Sequence, residues 1–102
     1  MERRKLSAEE IEANLTGLND WTVANEKLSK RFEFKNFAES LDFVNRVGEI
    51  AERRDHHPDI LFGWGYAEFF ITTHDRGGIT ERDFALAKEI NQIQRSKADS
   101  DD

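Results

Sequence analysis

The chain has 102 residues, a length that suits one domain built around a single hydrophobic core. It contains no cysteine, which excludes disulfides, thiolate metal sites and a cysteine nucleophile. The net charge of −6 disfavours nucleic-acid binding. No apolar run has the length of a membrane span or a signal peptide. We therefore expect a cytoplasmic protein that binds neither nucleic acid nor a membrane.

The N-terminal third predicts a helix followed by a β-hairpin. Ser7 and Glu10 have the spacing of a capping box, and apolar residues then recur at helical intervals until about residues 17–19. Two segments in which apolar and polar residues alternate come next, the second of them at residues 28–34. Asn25 and Glu26 lie between these segments and suit a tight turn.

A second helix is predicted from its N-cap, Asn36, to about Arg54. Pro58 biases His57 away from helical angles, so this helix must end before the histidine pair. Its apolar residues recur at helical spacing, and we expect them to pack on a sheet: Phe37, Leu41, Val44, Val47 and Ala51.

Two strands are predicted in the segment after Pro58. The first lies around residues 61–64, and the second, at residues 67–73, is rich in the aromatic and β-branched residues that strands prefer. Gly77 and Gly78 then favour a turn; they lack both the dinucleotide-binding pattern and the Walker lysine.

Thr80 suits the N-cap of a third helix, which begins soon after this turn. We expect residues 1–5 and 96–102 to be frayed. The order α-β-β-α-β-β-α predicts an α+β fold with a four-stranded antiparallel sheet and three helices packed on one face. We expect one domain over residues 1–102.

All three histidines of the chain lie between residues 52 and 83. His56 and His57 are expected at a junction between helix and strand, and His74 at the end of a strand. Histidine titrates near neutral pH, so one imidazole can donate a proton while another accepts one. A dehydration needs both of these proton transfers.

The chain resembles the pterin-4a-carbinolamine dehydratase family over about residues 6–93. The segments 6–10 and 72–75 are similar to those of the family. One departure is Ile60, where many animal members have tryptophan. The motif residues stand at the family's spacing: Glu52, His56, His57, Pro58, Trp64, His74 and Asp83.

This resemblance implies that the protein converts 4a-hydroxytetrahydropterin to quinonoid dihydropterin and water, without a metal or an organic cofactor. It implies that His56 and His74 are the general acid and base and that His57 contacts the pterin ring. A homo-oligomer, either a dimer or a tetramer, is also implied. The remaining substrate-binding residues carried over from the family are Glu52, Asp55, Thr72, Thr73, Asp75, Arg82 and Asp83.

Other interpretations of these residues are left open. A zinc site is disfavoured because the adjacent side chains of His56 and His57 should diverge. Asp83 is equally suited to cap the third helix, Trp64 to lie in the core, and Glu52 and Arg82 to be surface charges. At the level of function, the alternative is a non-catalytic pterin-binding or protein-interaction module of the same fold.

Overall fold

The computed structural model describes residues 4–18 and 20–100, with side chains as far as residue 93. A 3-10 turn, His74–Arg76, precedes the last helix. The described elements confirm the predicted order: α1 (Ala8–Leu15), β1 (Thr22–Ala24), β2 (Lys27–Glu33), α2 (Phe37–Arg54), β3 (Asp59–Gly63), β4 (Tyr66–Ile71) and α3 (Glu81–Ser100).

The four strands form an antiparallel sheet in the order β1-β2-β4-β3, as the predicted α+β fold requires. In this sheet Asp59, at the start of β3, pairs with Phe70, near the end of β4. The chain immediately before β3 therefore lies beside the chain immediately after β4. This register brings His57 and His74, which are 17 positions apart in sequence, to the same edge of the fold.

The predicted start of each of the first two helices is confirmed. Ser7 and Glu10 form a capping box at α1, and the side chain of Asn36 accepts a hydrogen bond from the Glu39 backbone at α2. Arg4 hydrogen-bonds to Glu10 and, together with the Ser7 backbone amide, lowers the pKa of that carboxyl to about 2. These contacts satisfy backbone donors that the first turn of a helix leaves unpaired.

The helices cover one face of the sheet. Ala67, Phe69 and Ile71 alternate inward along β4, and the ring of Phe69 lies 5.8 Å from that of Phe43 on α2. None of the helices within the described residues is long and apolar enough to cross a bilayer. The buried apolar side chains are Leu6, Leu18, Trp21, Leu28, Phe32, Phe43, Val47, Ile50, Ala51, Ala67, Phe69, Ile71, Ile79, Phe84, Leu86, Ala87 and Ile90.

The predicted inward face of α2 is partly wrong. Val47 and Ala51 are buried as expected, but Phe37 is 45% exposed and Leu41 is 39% exposed. The helix instead buries Phe43 and Ile50. Because α2 carries apolar residues on more than one face, its sequence periodicity alone did not identify the face that packs on the sheet.

The fraying expected at residues 1–5 and 96–102 stays a prediction, although contacts are described near both ends. Lys5 forms an ion pair with Glu26, and the backbone of Leu6 donates to the carbonyl of Ile79 at 2.8 Å. At the other end α3 continues to Ser100, because the segment after Ser96 contains no glycine or proline that would end a helix. Residues 1–3, 101 and 102, also predicted to fray, lie outside the described residues.

Candidate active site

The histidine pair follows the point at which α2 ends. Asp55 adopts a left-handed conformation, φ 52° and ψ 44°, and the backbone amide of His56 donates to the carbonyl of Ala51 at 3.1 Å. A residue with a side chain pays about 1–2 kcal/mol for this conformation, and aspartate tolerates it better than most. This left-handed residue reverses the direction of the chain at the end of α2. His56 consequently points inward and is 8% exposed, whereas His57 remains at the surface.

His74 begins the 3-10 turn that follows β4. Thr73 and Gly78 bracket this turn through two backbone hydrogen bonds, of 3.0 and 3.4 Å. Gly77 completes it with φ 72°, a conformation that favours glycine. The predicted turn at Gly77 and Gly78 is thus confirmed, and it holds His74 in an exposed position beside the end of α2.

The three histidines line one pocket of about 310 Å³, which is within the usual range for small-molecule sites. Two other predicted site residues, the exposed Glu52 and the buried Asp83, do not line this pocket, but each is hydrogen-bonded to one of its histidines. The wall contains the rest of the predicted set: Asp55, His56, His57, Thr72, Thr73, His74, Asp75 and Arg82.

Asp83 joins the start of α3 to the pocket. Its Oδ1 lies 2.5 Å from Nε2 of His56, and both side chains are buried. Its Oδ2 accepts hydrogen bonds from the backbone amide of Thr80 at 2.8 Å and from the Thr73 hydroxyl at 2.9 Å. Asp83 therefore caps the helix and also contacts a pocket histidine, so the two interpretations of this residue are compatible.

His57 has a carboxylate partner of its own. Its Nε2 lies 2.5 Å from Oε2 of Glu52, one turn back along α2. Both side chains are exposed, so solvent screens the pair and it contributes little to stability. The hydrogen bond nevertheless fixes the orientation of the His57 ring, which lines the pocket. A side chain that contacts a substrate ring needs a fixed orientation of this kind.

His74 differs from the other two histidines. Its imidazole has no hydrogen-bond partner among the described residues, whereas His56 and His57 each have a carboxylate. Both ring nitrogens of His74 are thus available to water or to a ligand. The pocket combines two oriented imidazoles with one that is unengaged.

Arg82 and Thr72 line the pocket but have hydrogen bonds elsewhere. Nη2 of Arg82 donates to the carbonyl of Asp55 at 2.8 Å, so this guanidinium stabilises the end of α2 and is not simply a solvated surface charge. The hydroxyl of Thr72 donates to the carbonyl of Glu26 at 2.8 Å and ties the β1–β2 turn to the pocket wall.

Trp64 lies neither in the core nor in the pocket. It is 71% exposed in the turn between β3 and β4, at the end of the sheet away from the histidines. A groove of about 610 Å³ between α2 and α3 is larger than the histidine pocket but contains no histidine. Among the described residues, no three His, Asp or Glu side chains converge as a metal site would require.

Thr80 was predicted only as a helix cap. Its hydroxyl also lies 2.9 Å from that of Thr73, and both residues are buried behind His56. The spacing of Thr80 and Asp83 indicated the cap, but contact with Thr73 arises only because the end of β4 packs against the start of α3. Sequence reasoning therefore missed Thr80 as part of the site.

The fold thus brings two carboxylate-paired imidazoles, those of His56 and His57, and the imidazole of His74 to one small pocket. Residues 4–93 match the family model described as pterin 4 alpha carbinolamine dehydratase. The chain belongs to this family.

Individual relatives support that assignment. The chain is 49% identical over 89 residues to a provisionally named pterin-4-alpha-carbinolamine dehydratase from Rubrobacter xylanophilus, with 86% of this chain and 83% of the relative covered. It is 46% identical over 90 residues to a protein of the same provisional name from Sulfolobus acidocaldarius, with 88% and 99% covered.

Solved structures share the fold. A transcriptional coactivator/pterin dehydratase from Brucella melitensis superposes with a TM-score of 0.85 at 28% identity, over 88% of this chain and 98% of that one. A pterin dehydratase-like protein described as a RuBisCO assembly factor in the alpha-carboxysome superposes with a TM-score of 0.60 at 23% identity, over 72% and 84%. At that identity the second likeness concerns the fold alone.

Proposed function

We propose that this protein dehydrates 4a-hydroxytetrahydropterin to quinonoid dihydropterin. The observation that carries the proposal is the meeting of His56, His57 and His74 on one pocket, in a chain that belongs to the dehydratase family. The pocket volume of about 310 Å³ suits a bicyclic heterocycle of this size.

The reaction is an elimination with two proton transfers. The bond between C4a and its hydroxyl oxygen breaks, the neighbouring ring nitrogen N5 loses its proton, and a C4a=N5 double bond forms. Hydroxide leaves poorly unless an acid protonates it as it departs, and a base must take the nitrogen proton. No electrons are transferred to or from the protein, so an acid and a base suffice.

In this proposal His56 and His74 supply the acid and the base. They reach the pocket from different elements, the end of α2 and the turn after β4, so they can act on different atoms of one substrate. His57, oriented by Glu52, contacts the pterin ring. Asp55 and Asp75 have carboxylates on the pocket wall that can accept hydrogen bonds from the amino and N–H groups of a pterin.

The proposal is tested by mixing the purified protein with freshly generated carbinolamine and following the quinonoid product optically. We expect an acceleration over the buffer rate that is proportional to protein concentration. A rate equal to that of buffer, with the protein shown to be folded by circular dichroism, would refute the enzymatic function.

A non-catalytic assembly role is the second candidate. The fold also occurs in the protein described as a RuBisCO assembly factor, and this chain has exposed apolar residues on α2. The dehydratase role depends on the imidazole of His74, whereas an assembly role does not. A His74→Ala variant should keep an assembly role in cells and lose a dehydratase role.

We also propose that the chain forms a homo-oligomer through α2. Phe37, Leu41 and Val44 occupy one side of this helix at helical spacing and form what we call the α2 outer stripe. Phe37 and Leu41 are both more than a third exposed, and the ring of Phe37 stacks on Phe62 at 5.7 Å. Contiguous exposed apolar side chains of this kind mark protein interfaces.

A further inference from the structure

A row of buried hydroxyls runs from the start of α3 to His56. The backbone amide of Arg82 donates to the Thr80 hydroxyl at 3.2 Å, and that hydroxyl lies 2.9 Å from the hydroxyl of Thr73. The Thr73 hydroxyl lies 2.9 Å from Oδ2 of Asp83, whose other oxygen contacts Nε2 of His56. None of the four side chains in this row is more than 8% exposed.

The direction of the protons in this row follows from counting donors. Each hydroxyl has one proton, and an ionised carboxylate only accepts. Thr73 donates its proton to Asp83, so the hydrogen bond between the two threonines must use the proton of Thr80. Every link then points toward the carboxylate of Asp83, which in its ionised form only accepts hydrogen bonds.

An ionised Asp83 fixes the proton on His56. The carboxylate already accepts two hydrogen bonds at Oδ2, and its Oδ1 can accept from Nε2 of His56 only if that nitrogen carries a proton. A neutral imidazole has a single N–H, so the other nitrogen, Nδ1, is then left bare.

The geometry also places Nδ1 of His56 within reach of the pocket. This nitrogen has no hydrogen-bond partner among the described residues. Yet no buried side-chain nitrogen or oxygen among those residues lacks a partner. Nδ1 therefore keeps some accessible surface, and His56 is one of the residues that line the pocket.

We infer that Thr80 and Thr73 are positioning residues, whose hydroxyls hold Asp83 so that His56 exchanges protons with the substrate only through Nδ1. The inference rests on the proposed function for its catalytic consequence. It also alters the expected role of Thr73, whose hydroxyl proton is used by Asp83 and whose side chain is buried, so it orients a histidine instead of contacting the pterin.

The direct test is the tautomer of His56, measured by 15N NMR on the free protein with labelled histidine. We expect neutral His56 to carry its proton on Nε2, with Nδ1 unprotonated. In Thr80→Val and Thr73→Val a second population with the proton on Nδ1 should appear, while Thr80→Ser and Thr73→Ser, which keep the hydroxyls, should match the wild type. The wild-type measurement needs no variant to fold.

Activity gives the second readout. The two valine variants should lose about tenfold in kcat, less than the roughly 10²–10⁴-fold that loss of a proton-transfer group costs, and the serine variants should restore the rate. Wild-type His56 protonated on Nδ1, or valine and serine variants with equal tautomer populations, would overturn the inference. A protein with the expected tautomer that does not dehydrate the carbinolamine would refute the proposed function and leave the positioning role intact.

Discussion

The carboxylate of Asp83 and the imidazole of His56 lie 2.5 Å apart, and both are buried. The same carboxylate caps α3 through the backbone amide of Thr80. The start of a helix and the orientation of a pocket histidine therefore depend on one side chain. A mutation that disturbs the beginning of α3 should consequently alter the chemistry of the pocket, even though Arg82 is the single residue of α3, among those with described side chains, that lines it.

Replacing Asp83 with asparagine should reverse the tautomer of His56. The amide nitrogen of asparagine donates where the carboxylate accepted, so Nε2 would become the acceptor and Nδ1 would carry the proton. We expect kcat to fall by about 10²–10⁴-fold and the free energy of unfolding to fall by about 1–3 kcal/mol. Steady-state kinetics and urea unfolding measure the two effects.

Asp59→Asn is the matched control for that substitution. Asp59 is an exposed aspartate at the start of β3, with only a 3.9 Å ion pair to Lys27. Its replacement should change neither kcat nor stability by a measurable amount. Equal kinetics in the Asp83 and Asp59 variants would contradict the role assigned to Asp83.

Removing the imidazole of His74 should abolish most of the activity without unfolding the protein. His74 is exposed and has no hydrogen-bond partner among the described residues, so its replacement by alanine disrupts no observed contact. We expect a loss of at least about 10²-fold in kcat and an unchanged thermal midpoint. Arg76→Ala, in the same 3-10 turn but outside the pocket lining, is the control and should retain full turnover. Undiminished turnover in His74→Ala would exclude it as acid or base.

The left-handed residue at the end of α2 offers a test that separates stability from binding. Asp55→Gly removes the conformational cost of a side chain at φ 52°. It should raise the free energy of unfolding by about 0.5–1 kcal/mol and the thermal midpoint by roughly 2–8 °C. Because the carboxylate is also lost from the pocket wall, KM should rise while kcat stays close to its original value.

Asp55→Asn is the comparison for this experiment. Asparagine tolerates the left-handed region about as well as aspartate, so stability should be unchanged while KM still rises. A lower thermal midpoint in Asp55→Gly would show that the side chain contributes more to the end of the helix than its backbone conformation costs.

A charge introduced into the α2 outer stripe should prevent self-association. Leu41→Glu places a carboxylate in an apolar contact and should convert an oligomer into a monomer, as measured by light scattering coupled to size exclusion. Leu61→Glu is the control, because Leu61 is also exposed but lies on the face of β3 opposite to the helices. Dissociation by Leu61→Glu alone would assign the interface to the open face of the sheet.

The sequence predicted those features that depend on local spacing. The caps at Ser7 and Asn36 each join residues three positions apart, so the pattern alone identifies them. The end of α2 was predicted because Pro58 constrains the residue before it. The three strands with predicted bounds, β2, β3 and β4, differ from expectation by one or two residues at each end. Thr73, predicted as the last residue of β4, lies beyond it and pairs with Gly78 in an isolated bridge.

The sequence did not predict features that depend on packing between helices and strands. The buried face of α2 could not be chosen because Phe37 and Leu41 are as apolar as the residues that pack on the sheet. The contact between Thr73 and Thr80 requires β4 and α3 to meet across an intervening turn. The family motif brought Glu52 and Asp83 into the predicted site, but only the structure shows that each contacts a different histidine.

In the proposed reaction the imidazoles of His56 and His74 act on the same pterin. A crystal structure of the protein with a reduced pterin analogue in the histidine pocket would show whether they do. We predict that Nδ1 of His56 and a ring nitrogen of His74 lie within hydrogen-bonding distance of groups at C4a and N5. An analogue bound elsewhere, or one that contacts only one of these two imidazoles, would contradict the account.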